Sequence, residues 1–242
     1  MNSPDKKGNS REFNNHFYLL ILFLTICVTG CFESYNPESK VIDLSKYPGI
    51  AKYRFDKIAL LPMIKDDTTD TGTFYSTNHF INKLTERFSN LSVDIPDISS
   101  ITFSDPMLIP GLINSIERNR HLDMNVFNNS ELGTLLLQEN YDAIFLGTVE
   151  SCYDLESFEK FDWSLINLRF DLIYVRNCYF NYYLISLADG RVLWRARILG
   201  QAVSLVNPDL KGKNYYPPVD CAVSNGIDTM MYYVPDLTGG KK

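Results

Sequence analysis

Apolar residues fall along the 242-residue chain in runs of different period, and each run predicts a different element. The first, "FYLLILFLTICVTGC" from Phe17 to Cys31, is nearly continuous but only ~13 residues long, short of the ~20 that a spanning helix needs. Residues 32–54 are polar, interrupted by Pro37, Pro48 and Gly49, and show no period, as expected of a flexible, partly disordered tether. "DKIALLPMI", Asp56 to Ile64, is an apolar run of strand length and suits a strand covered on both faces. "DDTTDTGTFYSTNH" follows as a loop, with Ser76 or Thr77 as N-cap. Phe80, Ile81, Leu84, Phe88 and Leu91 then recur at helical spacing. A short strand is expected near Ser92–Ile95, ended by Pro96.

The second half continues in the same way. A helix is expected from Leu108 to Arg118, with Pro110 in its first turn, where proline is tolerated. Ser130 caps another, through Leu132, Leu135 and Leu136 to Glu139. "YDAIFLGTVESC" is a second apolar strand, and the acidic "ESCYDLESFEKFD", Glu150 to Asp162, is expected to be an exposed loop. In "LRFDLIYVRNCYFNYYLISL" the residues alternate: Leu168, Phe170, Leu172 and Tyr174 share a face, and Cys178, Phe180, Tyr182 and Leu184 continue it. Ala188-Asp189-Gly190-Arg191 is a hairpin signal, with "VLWRARILGQAV" as the partner strand. Ala222, Val223, Ile227, Met230, Met231 and Val234 form the stripe of a last helix that Pro235 stops. The order β-α-β-α-α-β-β-β-α predicts a single α/β domain with a mixed β-sheet and flanking helices over residues 55–236, with 237–242 as a disordered tail.

Lys6, Lys7 and Arg11 precede the first apolar run, which makes residues 1–30 a secretion signal. Its end, Val28-Thr29-Gly30-Cys31, resembles the bacterial lipobox. That resemblance implies a lipoprotein signal peptide, cleavage before Cys31, and fatty acylation (palmitate) of the cysteine. Two or three acyl chains suffice for stable anchoring without a span. Residues 31–54 are then a lipid-anchored tether. Phe32 stands where an aspartate often signals inner-membrane retention, so the resemblance favours the outer membrane, with the domain facing the periplasm.

Charge and cysteine content narrow the classes further. The chain carries 23 Lys and Arg against 29 Asp and Glu, a net charge of −6. Loss of residues 1–30 leaves 20 basic and 27 acidic residues, a net −7, which argues against nucleic acid as a partner. Beyond Cys27 and Cys31 the cysteines are Cys152, Cys178 and Cys221. Cys152 and Cys178 fall on runs read as neighbouring strands and are the candidate disulfide; three buried, reduced cysteines are the alternative.

The chain resembles a group of bacterial envelope lipoproteins that includes the curli secretion-channel lipoproteins and the Lpo-type activators of penicillin-binding proteins. The resemblance rests on "FDKIALLPM" after the tether, "PGLINSIERN", the step "SELGTLLLQENYDAIFLGTV" and the hairpin "LISLADGRVLW". It implies an α/β periplasmic domain that binds another envelope component, either a cell-wall synthase or a transport or secretion assembly. The pore-forming relatives insert extra amphipathic hairpins, and this chain has no spare alternating pair to do so.

Candidate chemistry is sparse. His79 and His121 are the only histidines after the signal, and no His-x-x-x-His, Cys-x-x-Cys, nucleophile elbow or phosphate loop appears. Asp66, Thr68 and Asp70 have the 1-3-5 spacing of a calcium loop, but Thr71 and Thr77 stand where it needs glycine and glutamate. Asp66, Asp67 and Asp70 are instead candidates for partner contact, as are Tyr215 and Tyr216 in a proline-flanked loop. The reading is a non-enzymatic, lipid-anchored protein with no metal and no cofactor, bound to the membrane through its N-terminal lipid, with an envelope protein partner and homo-oligomerisation open. The alternatives are a ring-forming subunit of an outer-membrane secretion complex and an enzyme with an unrecognised site.

Overall fold

The computed structural model describes residues 38–65, 72–105, 107–159, 171–206 and 216–238. They form one mixed α/β domain. Its strands are β1 (Lys40–Lys46), β2 (Lys57–Leu60), β3 (Ile64–Lys65), β4 (Ser92–Asp94), β5 (Ala143–Glu159), β6 (Asp171–Ser186) and β7 (Val192–Val206). The helices are α1 (Gly72–Arg87), α2 (Ser99–Ser104), α3 (Leu108–Asn119), α4 (Met124–Asn128), α5 (Glu131–Gln138) and α6 (Val219–Met231). The sheet order is β1-β7-β6-β5-β2-β4, with β3 also paired to β5. β2 pairs in parallel with β4 and β5, whereas β5, β6, β7 and β1 form an antiparallel series.

Strand parity sorts the core into two halves. Phe145, Phe180, Tyr182, Leu184 and Trp194 point to one face, where Phe80 and Leu84 of α1 and Ile227 and Met230 of α6 bury them. Ile144, Leu146, Tyr183 and Ile185 point to the other, under Ile116 of α3, Phe127 of α4 and Leu132 and Leu136 of α5. Each such fully buried side chain contributes roughly 1.5–3 kcal/mol. β2 serves both halves: Ile58 and Leu60 belong to the first, Ala59 and Leu61 to the second. That explains why "DKIALLPMI" lacks a polar side.

Local chemistry sets the boundaries. Ser130 Oγ accepts from Gly133 N at 3.0 Å and starts α5, as its position before the leucine stripe predicts. Asp123 does the same for the unanticipated α4, accepting from Asn125 and Val126. The β6–β7 turn falls at Ala188-Asp189-Gly190, with Gly190 at φ 71°, a conformation that L side chains rarely adopt.

Three expectations are corrected. Lys40–Lys46, inside the stretch read as tether, is strand β1, and Ile50 and Phe55 are buried. An edge strand needs only backbone pairing with β7, so β1 forms without a buried stripe. The acidic stretch from Glu150 is no loop: β5 continues to Glu159, in register with β6 down to Asp171. Its alternation carries charges on one side, which hid the strand period. In the tail, Leu237 is fully buried and Thr238 donates to Asp236, so order runs past residue 236.

Candidate functional site

The distal halves of β5, β6 and β7 display a group of charged and aromatic side chains. Register builds it. Cys152 faces Cys178, Asp154 faces Arg176 and Glu156 faces Tyr174 on the α6 side of the sheet. Cys152 and Cys178 are joined by a disulfide, with Cα atoms 4.2 Å apart, close to the spacing of directly opposed residues in an antiparallel pair. Cys221, on α6, is a free and exposed thiol.

One step further out, Arg176 donates Nε and Nη2 to the two oxygens of Asp154 at 2.7 and 2.8 Å, a forked ion pair. The Arg176 hydrogen bonds hold the Asp154 carboxyl below its usual range, and Asp154 in turn raises Arg176. The guanidinium lies 5.7 Å from the Tyr216 ring centroid. Tyr216 packs edge-on against Tyr174 at 5.0 Å and donates its hydroxyl to Glu156 at 3.1 Å. Desolvation, with the bond to Glu156, pushes the Tyr216 phenol up.

The opposite face of the same strands is also polar. A bulge between Val149 and Ser151 turns Glu150 to that side. There it accepts from Arg197 Nε at 3.0 Å and Nη2 at 2.6 Å, and from Asn181. Arg197 stands 5.4 Å from the Tyr179 ring, which stacks on Tyr153 at 6.1 Å. Gln201 donates to Asn177, and both Asn177 and Asn181 are fully buried. Tyr153 and Leu155, on this face of β5, are exposed.

The histidines sit elsewhere. His79 Nε2 lies 3.0 Å from Asp228 Oδ1, and Lys83 Nζ lies 3.2 Å from the same oxygen, so these groups join α1 to α6. His121 bridges Arg191 through the backbone. Among the described residues no three His, Cys, Asp or Glu side chains converge as metal ligands, and no helix is long and apolar enough to cross a membrane. Two surface depressions, of about 360 and 330 Å³, are lined by Lys83, Glu86, Arg87, Met231 and Tyr232, and by residues of α2 and α5 with Ser130.

Of the candidate residues, Tyr216 joins this cluster. Cys31, Asp66, Asp67, Asp70 and Tyr215 lie outside the described residues. Asp154 and Glu156 belong to the acidic stretch read as an exposed loop with electrostatic docking as the alternative, whereas Tyr174 and Arg176 were not singled out from the sequence as site residues. The signal for them was the strict alternation of Cys152, Asp154 and Glu156 with Tyr153 and Leu155.

No protein-family model matches the chain, and no curated protein sequence does. Solved structures similar to it include the PelC dodecamer of Paraburkholderia phytofirmans, at 13% identity and a TM-score of 0.39, covering 80% of this chain and 96% of that one. The lipoprotein GNA1162 of Neisseria meningitidis matches at 14% identity and a TM-score of 0.31, covering 65% and 87%. The hypothetical protein CT253 of Chlamydia trachomatis matches at 10% identity and 0.35, covering 73% and 94%. Likenesses of this size leave the role of the chain to be argued from its own residues.

Proposed function

We propose that this chain is a lipid-anchored, non-enzymatic protein of the cell envelope whose α/β domain binds another envelope component, a cell-wall synthase or a transport or secretion assembly. The observation that carries the reading is Val28-Thr29-Gly30-Cys31 at the end of an apolar run too short to span. It supports acylation of Cys31, attachment to the outer membrane and a domain on the periplasmic side. The distal β5–β6 cluster supports binding: forked Arg176–Asp154, Tyr174, Tyr216 and exposed Tyr153 are side-chain types favoured at protein interfaces.

The test has two arms. Cells fed labelled palmitate should label the wild-type chain and leave Cys31→Ser unlabelled and released from the membrane fraction. Photo-crosslinking from position 153 in intact cells should then attach one envelope protein to the wild type. An unlabelled wild-type chain removes the anchor, and crosslinks to solvent alone remove the partner.

A further inference from the structure

Among the described residues the sheet ends in two open edges with different chemistry. β1 is the outermost strand beside β7, and among the described residues nothing pairs with its other side. On the opposite flank, β2 and β3 occupy β5 only up to Val149, so Ser151–Glu159 pairs with β6 alone among the described residues. Unpaired backbone of this kind is a template for strand addition.

The two edges are complementary. Asp43 of β1 lies 4.0 Å from Arg195, which leaves Lys40 and Lys46 as the cations of that edge without an ion pair among the described residues. The β5 edge carries Glu156, whose carboxylate accepts from the Tyr216 hydroxyl, beside Asp154, which is already paired with Arg176. Exposed large apolar side chains also gather here: Ile42 and Leu44 on β1, and Tyr153 and Leu155 on β5, are four of the nine among the described residues.

Topology then restricts the occupant. β1 opposes β7, β7 opposes β6 and β6 opposes β5, so β1 runs antiparallel to β5 within one sheet. A second copy in the same orientation would therefore bring its β1 antiparallel to the β5 edge of the first, with corresponding faces continuous. Parity agrees: Lys46 pairs with Trp194 and Leu44 with Ala196, on the α6 side that also carries Asp154 and Glu156. The full-length antiparallel pairing of β1 with another β1 would instead oppose Asp43 to Asp43 and set Lys40 against Lys46. We infer that this domain adds to copies of itself head to tail, β1 of one copy extending the sheet at Ser151–Glu159 of the next. Such a contact repeats, because every added copy offers another open β5 edge. The inference does not depend on the lipid anchor.

Light scattering on the full-length chain extracted in mild detergent, corrected for bound detergent, reads the outcome. The wild type should have a protein mass above that of two chains. Lys46→Glu alone and Glu156→Lys alone should each reduce it to one chain, and the double variant Lys46→Glu/Glu156→Lys should restore the assembly. A wild type that stays a single chain at its highest soluble concentration overturns the inference. So does a wild type fixed at two chains, an assembly indifferent to both reversals, or a double variant that stays dissociated.

Discussion

Where a helix passes close over the sheet, one added methyl group should be felt strongly. α6 crosses the sheet with Gly226 over Gly200 of β7. A Cβ at position 200 would lie 2.1 Å from the Ala222 carbonyl oxygen and 3.2 Å from Phe180 Cε1. Backbone oxygen cannot rotate aside, so Gly200→Ala forces α6 outward by more than about 1 Å against a core packed at crystal-like density. The displaced helix carries Ala222, Val223, Ile227 and Met230, all buried. Overpacking of this kind costs about 1–3 kcal/mol. The opposing gain, from a less flexible unfolded chain, is about 0.4–1 kcal/mol. The net expectation is a loss of about 1–2 kcal/mol, a drop of roughly 2–8 °C in Tm for a domain this size. Gly111→Ala supplies the opposite sign: nothing lies within 4 Å of its Cβ, and it sits inside α3, where alanine is favoured by up to about 1 kcal/mol. Urea unfolding of the two variants, followed by tryptophan fluorescence with the disulfide intact, measures both. Gly200→Ala at or above wild-type stability would refute the account of how α6 seats on β7.

Three further outcomes follow from the same contacts. Removing the β5–β6 crosslink as Cys152→Ala/Cys178→Ala should cost about 2–4 kcal/mol, and a reductant should lower the Tm of the wild type but not of the double variant. Asp154 has its folded pKa depressed by Arg176, so the pair contributes stability at neutral pH that is lost as pH falls through the carboxylate range, below about 4. Asp154→Asn should therefore flatten the acid limb of a Tm-against-pH curve and change little near pH 7, since a part-exposed pair contributes about 1 kcal/mol or less. Trp194, almost fully buried with its indole N–H donating to the Tyr233 carbonyl at 3.1 Å, should cost about 3–5 kcal/mol on truncation to alanine, read by thermal unfolding.

Much of the fold was legible because its signals are local. The leucine stripe behind Ser130, the Asp-Gly hairpin and the two-sided apolar run at Ile58–Leu61 each follow from a few neighbouring residues, and the elements lie where those residues put them. What escaped depends on partners distant in sequence. β1 exists because β7 offers a ladder some 150 residues later, and nothing in its own exposed side chains marks it. The outer half of β5 carries carboxylates that read as a loop until Arg176 is seen opposite Asp154. The cluster at Tyr216 shares that cause, since Tyr174, Arg176 and Glu156 meet only once the register is set.

The early start of β1 has a consequence for geography. With acyl chains on Cys31 as proposed, only nine steps of backbone separate the lipid from Lys40, a leash of at most about 30 Å when pulled straight. Anchored in that way, the body would keep its first strand beside the bilayer. A partner of the proposed kind would then have to come within that shallow layer, and a lengthened leash, made by inserting glycine and serine before Ser39, should relax that restriction in proportion to the added reach.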